Sequence, residues 1–292
     1  MERLKPLFIS VFVSFAAILS VYGIFQMARG VQPAMLWLGL SIAALPPTLF
    51  FCWLFVARPP RTSNHPLSIT LLSALGVVIS MVYAWRFPNL DALGFFWSAL
   101  VFVGWIFYLR WYSNFGGRTY PAQLHEGEKL PEFSVLTLDD ELVSSFSFKG
   151  QAQIIVFYRG NWCPLCVAQI EELAAAYKEI EKRGARVVMI SSQPANKSRR
   201  LADKYGVPIR FLVDPYNEAA RQLGISRANS LPFGLQLLGY NSEAALPTVV
   251  VTDANGMILF TDLTDNYRHR PEPEKLLKVL DIAEAAAAAA MV

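Results

Sequence analysis

The chain has 292 residues, of which 54% are hydrophobic, and its mean hydropathy of +0.34 is too high for one ordinary soluble domain. Residues 1–120 carry eight Lys/Arg and two Asp/Glu, a net charge of +6, whereas residues 121–292 carry eighteen and twenty-one, a net charge of −3. This uneven distribution predicts two parts, and the acidic second part, with scattered basic residues, excludes a nucleic-acid-binding protein.

The first 112 residues contain four apolar runs, each close to the ~20 residues that cross the hydrocarbon core of a bilayer. None of the runs contains Asp, Glu, Lys, Arg or His, and Arg, Trp and Tyr gather near their ends, where interfacial anchors belong. The first run is longer than a signal-peptide core and lacks a small-x-small cleavage site, so we expect it to be retained. We therefore predict an N-terminal all-α transmembrane bundle over residues 1–112, with spans of about 7–28, 34–56, 67–85 and 92–109.

The loops between these runs predict the orientation of the bundle. Four spans place both termini on one side, which then holds six basic residues against two on the other, so the termini are expected in the cytoplasm. If the bundle had one membrane-spanning helix fewer, the C-terminal domain would lie on the opposite side of the membrane. The spans contain no ionisable group for a proton relay, so we interpret the bundle as an anchor in the lipid bilayer. Binding of a lipid or of a partner membrane protein is the alternative.

The second part begins with a polar, Gly-containing linker over residues 113–130, followed by a domain over residues 131–292. Alternating apolar runs and helical periodicities predict a β-α-β-α-β-α-β-β-α order, in which the sequence DANG joins the last two strands as a hairpin. This order predicts an α/β domain with a central mixed sheet and helices on both faces. The predicted strands cover 153–158, 186–190, 209–213, 248–252 and 257–261, and the helices 164–182, 195–205, 217–223 and 272–290.

Two of the three cysteines lie in the stretch FYRGNWCPLCVAQIEEL, at the predicted junction between a strand and a helix. Cys163 falls at the helix N-terminus, where unpaired amides and the helix dipole favour a thiolate, and Pro164 suits the first helical turn. The C-x-x-C spacing allows a disulfide between Cys163 and Cys166. We therefore predict a redox dithiol in which Cys163 attacks and Cys166 resolves the mixed intermediate.

Two other interpretations of this cysteine pair are weaker. A structural zinc site needs four ligands, and the second part offers only His125 and His269 besides the two cysteines. A structural disulfide is disfavoured by the short loop and by the reducing side of the membrane. We expect neither a metal nor a cofactor, and we interpret the lone Cys52 as a packing residue.

Three segments of the second part resemble the thioredoxin superfamily. Their sequences are EGEKLPEFSVLTLDD, IIVFYRGNWCPLC and ALPTVVVTDANGMILF. More narrowly, residues 126–280 are similar to the redoxin domain of the alkyl hydroperoxide reductase/thiol-specific antioxidant family, in its peroxiredoxin-like branch. The resemblance implies a thioredoxin-like fold and an active Cys163–Cys166 disulfide with Cys163 as the nucleophile. It further implies Pro247 as a cis-proline beside the dithiol. We expect Trp162, Pro164, Thr248 and Arg159 to support the site, with a solvent-facing charge as the alternative for Arg159.

The sequence departs from this family around the first cysteine. Peroxiredoxins carry Pro-x-x-x-Thr/Ser-x-x-Cys before the peroxidatic cysteine, and with Cys163 in that role Val156 and Gly160 occupy the Pro and Thr positions. Leu246 stands where the family has an arginine. We therefore predict a membrane-anchored thiol–disulfide oxidoreductase acting on protein thiols or disulfides, with an external thiol as electron donor. The alternatives are a thiol-dependent peroxidase acting on a peroxide, and a membrane redox sensor or assembly factor.

The residues between the short helix and the Pro247 strand, 224–245, form a long connection for a compact domain. We expect this insertion to shape the substrate face. The alternative is a variable surface loop.

Overall fold

The computed structural model describes residues 2–87, 92–116, 118 and 124–289. The chain divides into two compact units, which are Met1–Arg58 with Thr62–Phe115, and Pro59–Arg61 with Gly116–Val292. The first unit is all-α, and the second is an α/β domain with a mixed central sheet. The predicted fold class is therefore confirmed.

Four helices form the first unit, and their bounds agree closely with the apolar runs. They are α1 (Lys5–Ala28), α2 (Ala34–Val56), α3 (Leu67–Arg86) and α4 (Leu93–Phe107), and α4 continues in a π-helical turn (Tyr108–Tyr112). Each is long and apolar enough to cross a membrane, judged by length and composition. A π turn is uncommon and here extends the last span to Tyr112.

Small residues bring the backbones of α2 and α3 into direct contact. A Cβ atom on Gly76 would lie 2.3 Å from the backbone nitrogen of Ala43, and one on Gly39 would lie 2.2 Å from the Ser80 hydroxyl oxygen. The hydroxyl of Ser73 donates a hydrogen bond of 2.8 Å to the Ala43 carbonyl. Close packing of small residues with a hydrogen bond between helices is how apolar helices associate without a hydrophobic driving force.

The second unit is built on a seven-stranded sheet in the order β2-β1-β5-β4-β3-β8-β9. The three strands β3, β4 and β5 are mutually parallel, and every other pair in the sheet is antiparallel. A separate ribbon of β6 and β7 precedes β8. The bounds are β1 Ser134–Leu136, β2 Leu142–Ser144, β3 Ala152–Phe157, β4 Ala185–Ser191, β5 Arg210–Val213, β6 Ser226–Arg227, β7 Ala244–Ala245, β8 Thr248–Thr252 and β9 Ile258–Asp262.

Among the described residues five α-helices accompany the sheet, and one predicted helix is divided. The break lies at Ala176, whose ψ angle of 0° leaves the helical region, and a new turn begins at Tyr177. The restart keeps the side chains of Tyr177 and Ile180 buried. The helices are α5 Pro164–Ala175, α6 Tyr177–Lys182, α7 Ala195–Tyr205, α8 Glu218–Gln222 and α9 Pro273–Ala289.

The central strand β3 positions the cysteine-containing loop. Its residues Ile154, Ile155 and Val156 are buried, as expected for a strand covered on both faces. Leu124 joins the same core, although it lies within the predicted linker. The amide of Gly127 donates a hydrogen bond of 2.8 Å to the Ile258 carbonyl, which attaches this segment to β9.

Candidate active site

The dithiol lies where β3 ends and α5 begins, as expected from the sequence. Cys163 is the N-cap residue of α5, with an extended backbone (φ −92°, ψ 110°), and Pro164 occupies the first turn. The amide of Cys166 donates a hydrogen bond of 3.1 Å to the Cys163 carbonyl. The first turn of α5 therefore holds the two cysteines one above the other.

Both cysteines are free thiols, and both are buried. Cys163 is 2% exposed and Cys166 is 1% exposed. A small molecule can reach sulfur atoms at this depth more easily than a second protein can, because disulfide exchange requires the attacking sulfur to meet the target sulfur directly.

The two thiols are hydrogen-bonded to each other, and this contact separates their acidities. Donation of the Cys163 S–H to Cys166, together with burial, raises the pKa of Cys163 well above its ordinary value. The same bond lowers the pKa of Cys166 to about 6, against the opposing effect of burial, with help from the charge of Arg270 and from the backbone N–H of Arg159. Because the pair acts as one titrating unit, its first proton is lost more readily than that of an ordinary thiol, and the shared hydrogen bond favours the thiolate on Cys166.

Two buried guanidinium groups give the site a positive field. Arg159 lies 4.5 Å from the centroid of the Trp162 ring and 5.8 Å from that of Tyr267, and it donates to the Ser230 carbonyl. Arg270 is equally buried and donates a hydrogen bond of 3.0 Å to the His269 carbonyl. Both cations lower the pKa of both thiols.

A buried polar network fixes the loop between β3 and α5. The side-chain oxygen of Gln193 accepts a hydrogen bond of 2.8 Å from the Asn161 amide. The Gln193 amide group donates to the Tyr158 hydroxyl at 3.0 Å and to the Ser198 hydroxyl at 2.9 Å. Burial raises the pKa of Tyr158, so this hydroxyl stays protonated. The network makes the loop a rigid support for the dithiol.

Gly160 lies at a point of this loop that accepts no side chain. Its φ angle of +143° disfavours other residues, and a Cβ atom would lie 2.7 Å from the Trp162 indole nitrogen. A threonine hydroxyl therefore cannot occupy this position, although the family motif aligned on Cys163 requires one there.

The prediction of a cis-proline at Pro247 is wrong. The Leu246–Pro247 bond is trans, and the cis bond among the described residues is Gln32–Pro33. The Pro247 carbonyl accepts a hydrogen bond of 2.8 Å from Arg118, and Thr248 accepts a second bond from the same guanidinium. The chain runs extended into β8, and its carbonyl is occupied, so nothing in this segment requires a tight turn or leaves that carbonyl for a substrate.

The residues expected to support the dithiol are only partly brought together. Trp162 and Arg159 stack beside it, whereas Thr248 bonds to Arg118 and to the Leu246 carbonyl. Arg270 is a member of the site that the sequence reading missed. The sequence feature that could have indicated Arg270 is the cluster YRHR at 267–270, which places three basic side chains after a predicted strand.

The pKa values of the pair predict a specific titration. One thiolate should appear with a midpoint near pH 6, and the second only well above the ordinary thiol pKa. Thiolate absorbance in the ultraviolet measures both steps on the reduced chain. In the control variant Cys166→Ser, the step near pH 6 should vanish. A first thiolate that appears only near the unperturbed value of about 8.5 would contradict the hydrogen-bonded pair.

Comparisons with known proteins point to one family. Residues 127–261 match the model of the AhpC/TSA family. A segment of 104 residues is 29% identical to "Peroxiredoxin Q, chloroplastic" of Triticum aestivum, and it covers 36% of this chain and 48% of that protein. A segment of 148 residues is 27% identical to "Peroxiredoxin Bcp" of Escherichia coli strain K12, and it covers 50% of this chain and 91% of that protein.

The extent of these matches differs between proteins. The chain spans about half the length of the Triticum protein and of a peroxiredoxin from Hyperthermus butylicus, at 48% and 55%. Among solved structures, Peroxidoxin BcpB from Mycobacterium tuberculosis is 19% identical with a TM-score of 0.45, and the similarity covers 55% of this chain and 97% of that one.

Proposed function

We propose that this chain, whose residues 127–261 match the model of the AhpC/TSA family, is a membrane-anchored thiol-dependent peroxidase with a redoxin domain. Its redox centre is the Cys163–Cys166 pair, its substrate is a hydroperoxide, and an external thiol supplies the electrons. The relatives named as peroxiredoxins support this class of reaction.

The observation that carries the proposal is the burial of both thiols. With 2% and 1% exposure, the sulfur atoms suit a peroxide, which is small, better than a disulfide in a folded protein. The positive charges of Arg159 and Arg270 stabilise the attacking thiolate and the charge that develops on the leaving oxygen. Both effects act in a site that excludes bulk water.

We assign the attack to Cys166. Its sulfur accepts the Cys163 S–H and the Arg159 N–H, so it carries the thiolate. The motif Pro-x-x-x-Thr/Ser-x-x-Cys, aligned on Cys166 instead of Cys163, puts Cys163 at the Thr position and Arg159 at the Pro position. Cys163 then provides the hydrogen bond that a threonine hydroxyl would give. This assignment reverses the roles predicted from the helix N-terminus alone.

The reaction balances with the residues of the chain and one external donor. The Cys166 thiolate attacks one peroxide oxygen, the S–O bond forms, the O–O bond breaks, and an alcohol or water leaves after taking a proton. Cys166 is oxidised to a sulfenic acid by two electrons. Cys163, deprotonated by transfer of its proton to the departing oxygen, attacks this sulfur and expels hydroxide to form the disulfide; the hydroxide takes a proton from solvent to become water, and two external thiol equivalents reduce the disulfide.

Disulfide exchange is the second candidate function. The C-x-x-C pair at a helix N-terminus favours it, because this arrangement suits thiolate formation and disulfide closure. Exchange with a protein disulfide would be easier at an exposed first cysteine, whereas Cys163 is buried.

One experiment separates the two activities. Stopped-flow mixing of the reduced chain with hydrogen peroxide or cumene hydroperoxide should oxidise the dithiol at least about a hundredfold faster than a free thiolate. Insulin reduction, measured in parallel, should stay near the background. The variant with both Cys163→Ser and Cys166→Ser is the control. Oxidation at the rate of a free thiolate, together with catalysed insulin reduction, would replace the peroxidase by a disulfide reductase.

We further propose that the four apolar helices anchor the chain and that the domain faces the cytoplasm. The segments on the same side as the two termini carry six basic residues, whereas the loops on the other side carry two, and this excess supports the orientation. Protease digestion of intact and of inverted membrane vesicles tests it. If the protease cleaved the domain in intact vesicles, which expose the outer face of the membrane, the proposed orientation would be wrong.

A further inference from the structure

The insertion at residues 224–245 is an ordered projection with a short helical tip. Its two ends pair as β6 and β7, and the Leu246 amide donates a hydrogen bond of 2.7 Å to the Ile225 carbonyl. The tip is a 3₁₀ turn (Leu235–Leu238) between Gly234 and Gly239, whose φ angles are +97° and +84°. These left-handed glycines let the chain enter and leave the turn sharply.

The tip exposes apolar side chains, although the base of the insertion is buried. Leu237 is 90% exposed and Leu238 is 60% exposed, whereas Leu231 and Tyr240 pack into the domain. A single exposed leucine would need no explanation. Two adjacent exposed leucines at the end of an ordered projection form a small apolar surface, and the exposure of that surface to water is unfavourable.

Two basic side chains of α7 lie beside Tyr240, which follows the tip by two residues. The Lys197 ammonium lies 5.7 Å from the centroid of the Tyr240 ring, and Arg200 lies close enough for its charge to act on the same tyrosine, whose pKa is raised by burial. Within the described part of the chain, neither cation forms a salt bridge. The other two cations of α7 are paired, Arg199 with Asp139 and Lys204 with Glu171.

The insertion and α7 carry one acidic residue each, and each lies close to an arginine. Glu243, at the end of the insertion, is held 2.9 Å from Arg221 and accepts from Ser226, and these contacts lower its pKa. Asp203 on α7 lies close enough for its charge to act on Arg199. Lys197 and Arg200 therefore give the border of the tip a positive character.

The insertion is tied to the dithiol loop. The Ser230 carbonyl accepts a hydrogen bond from Arg159, which stacks on Trp162 beside Cys163. The Tyr240 hydroxyl donates to the Asn161 side chain in the same loop. A surface that binds the tip therefore lies next to the redox centre.

We propose that Leu237 and Leu238 dock this insertion on the surface of an anionic lipid bilayer, with Lys197 and Arg200 at the lipid phosphates. Exposed apolar side chains with lysine and arginine nearby are typical of a protein surface that binds at the membrane interface. The eleven residues between Tyr112 and Leu124 can extend at most ~40 Å, so a bilayer that holds the four apolar helices stays within reach of the domain.

A protein partner fits this surface less well. Stable protein interfaces bury about 800 Å² on each side, with aromatic or arginine side chains at a packed centre. The two leucines and the exposed ring of Phe233, on a narrow turn, offer too little area for such an interface. Docking on lipid would bring the dithiol to hydroperoxides carried on acyl chains. This assignment of the substrate class rests on the proposed peroxidase function, whereas the docking itself does not.

A depth measurement tests the docking on the full chain. The chain is reconstituted in nanodiscs of phosphatidylcholine and phosphatidylglycerol, in a background of Cys52→Ser, Cys163→Ser and Cys166→Ser. An environment-sensitive fluorophore is placed through Leu237→Cys or through the control Leu142→Cys, a leucine on β2 that is 73% exposed. Lipids with nitroxide-labelled acyl chains should quench the label at position 237 several-fold more strongly. Equal quenching at the two positions would overturn the proposal.

A rate measurement tests the substrate class in otherwise unsubstituted chains. The double variant Leu237→Asp, Leu238→Asp should reduce a phospholipid hydroperoxide in nanodiscs about tenfold more slowly, and hydrogen peroxide at an unchanged rate. Leu142→Asp should alter neither rate. Unchanged reduction of the phospholipid substrate, or equal loss on both substrates, would refute a membrane substrate. If the unsubstituted chain consumed no peroxide at all, the proposed function would fail, and the quenching result would still decide the docking.

Discussion

Cys166→Ser should abolish peroxide consumption, with a fall of at least about 10³-fold in the rate constant for oxidation by hydrogen peroxide. The Cys166 sulfur is the one that accepts two hydrogen bonds and has a pKa of about 6, so its removal takes away the thiolate present at neutral pH. The remaining thiol of Cys163 is buried and has a raised pKa, so it is protonated under the same conditions. Stopped-flow measurement on reduced chains gives the rate constant directly.

Cys163→Ser is the matched control for this experiment. A serine hydroxyl can donate to Cys166 as the thiol does, so the first oxidation should proceed at a comparable rate. It should stop at the sulfenic acid, which dimedone traps, because no second thiol is available to close the disulfide. The opposite pattern, in which Cys163→Ser loses the first oxidation and Cys166→Ser retains it, would restore the assignment predicted from the helix N-terminus.

Gly76→Ala should destabilise the helical bundle by about 3 kcal/mol or more. The added Cβ would lie 2.3 Å from the Ala43 backbone nitrogen and 2.5 Å from the Gly39 carbonyl oxygen, and backbone atoms cannot move aside without separating α2 from α3. The higher helix propensity of alanine offsets only about 1 kcal/mol of this loss. Titration with sodium dodecyl sulfate in mixed micelles measures the effect through tryptophan fluorescence, since six of the seven tryptophans lie in the first 112 residues.

Gly104→Ala provides the comparison within the same bundle. Its Cβ would also be too close to a neighbour, at 2.6 Å, but that neighbour is the ring of Phe12, which can rotate. We expect a loss below about 1.5 kcal/mol. Equal losses for the two variants would mean that the α2–α3 contact is looser than the distances indicate.

The sequence predicted the elements whose patterns are local. α7 occupies the predicted residues 195–205 because Gly206, with φ +59°, ends it, and β8 is the predicted apolar run 248–252. The hairpin of β1 and β2 was missed because each strand has only three residues, and β2 lies at the edge of the sheet. Such short strands carry too little alternation to distinguish them from a loop.

Of the active site, only the pair of cysteines could be predicted from the sequence. The C-x-x-C spacing identified the dithiol, but the sequence alone could not say which sulfur accepts the shared proton, since that depends on the Arg159 amide and on Arg270, more than a hundred residues away. Arg118 reaches Pro247 across a similar separation. Contacts of this kind follow from tertiary packing, and neither composition nor periodicity records them.

The hydrogen bond between the two sulfurs also determines where a proton is stored. The raised pKa of Cys163 and the lowered pKa of Cys166 favour the state in which the pair holds one proton, on Cys163, and Cys166 attacks as the thiolate. If the departing alkoxide takes that proton, the leaving group is neutralised and Cys163 becomes a thiolate in the same step. The proton transfer that completes the first half-reaction then prepares the nucleophile of the second, so a site closed to water needs no proton from a buffer until the disulfide has formed.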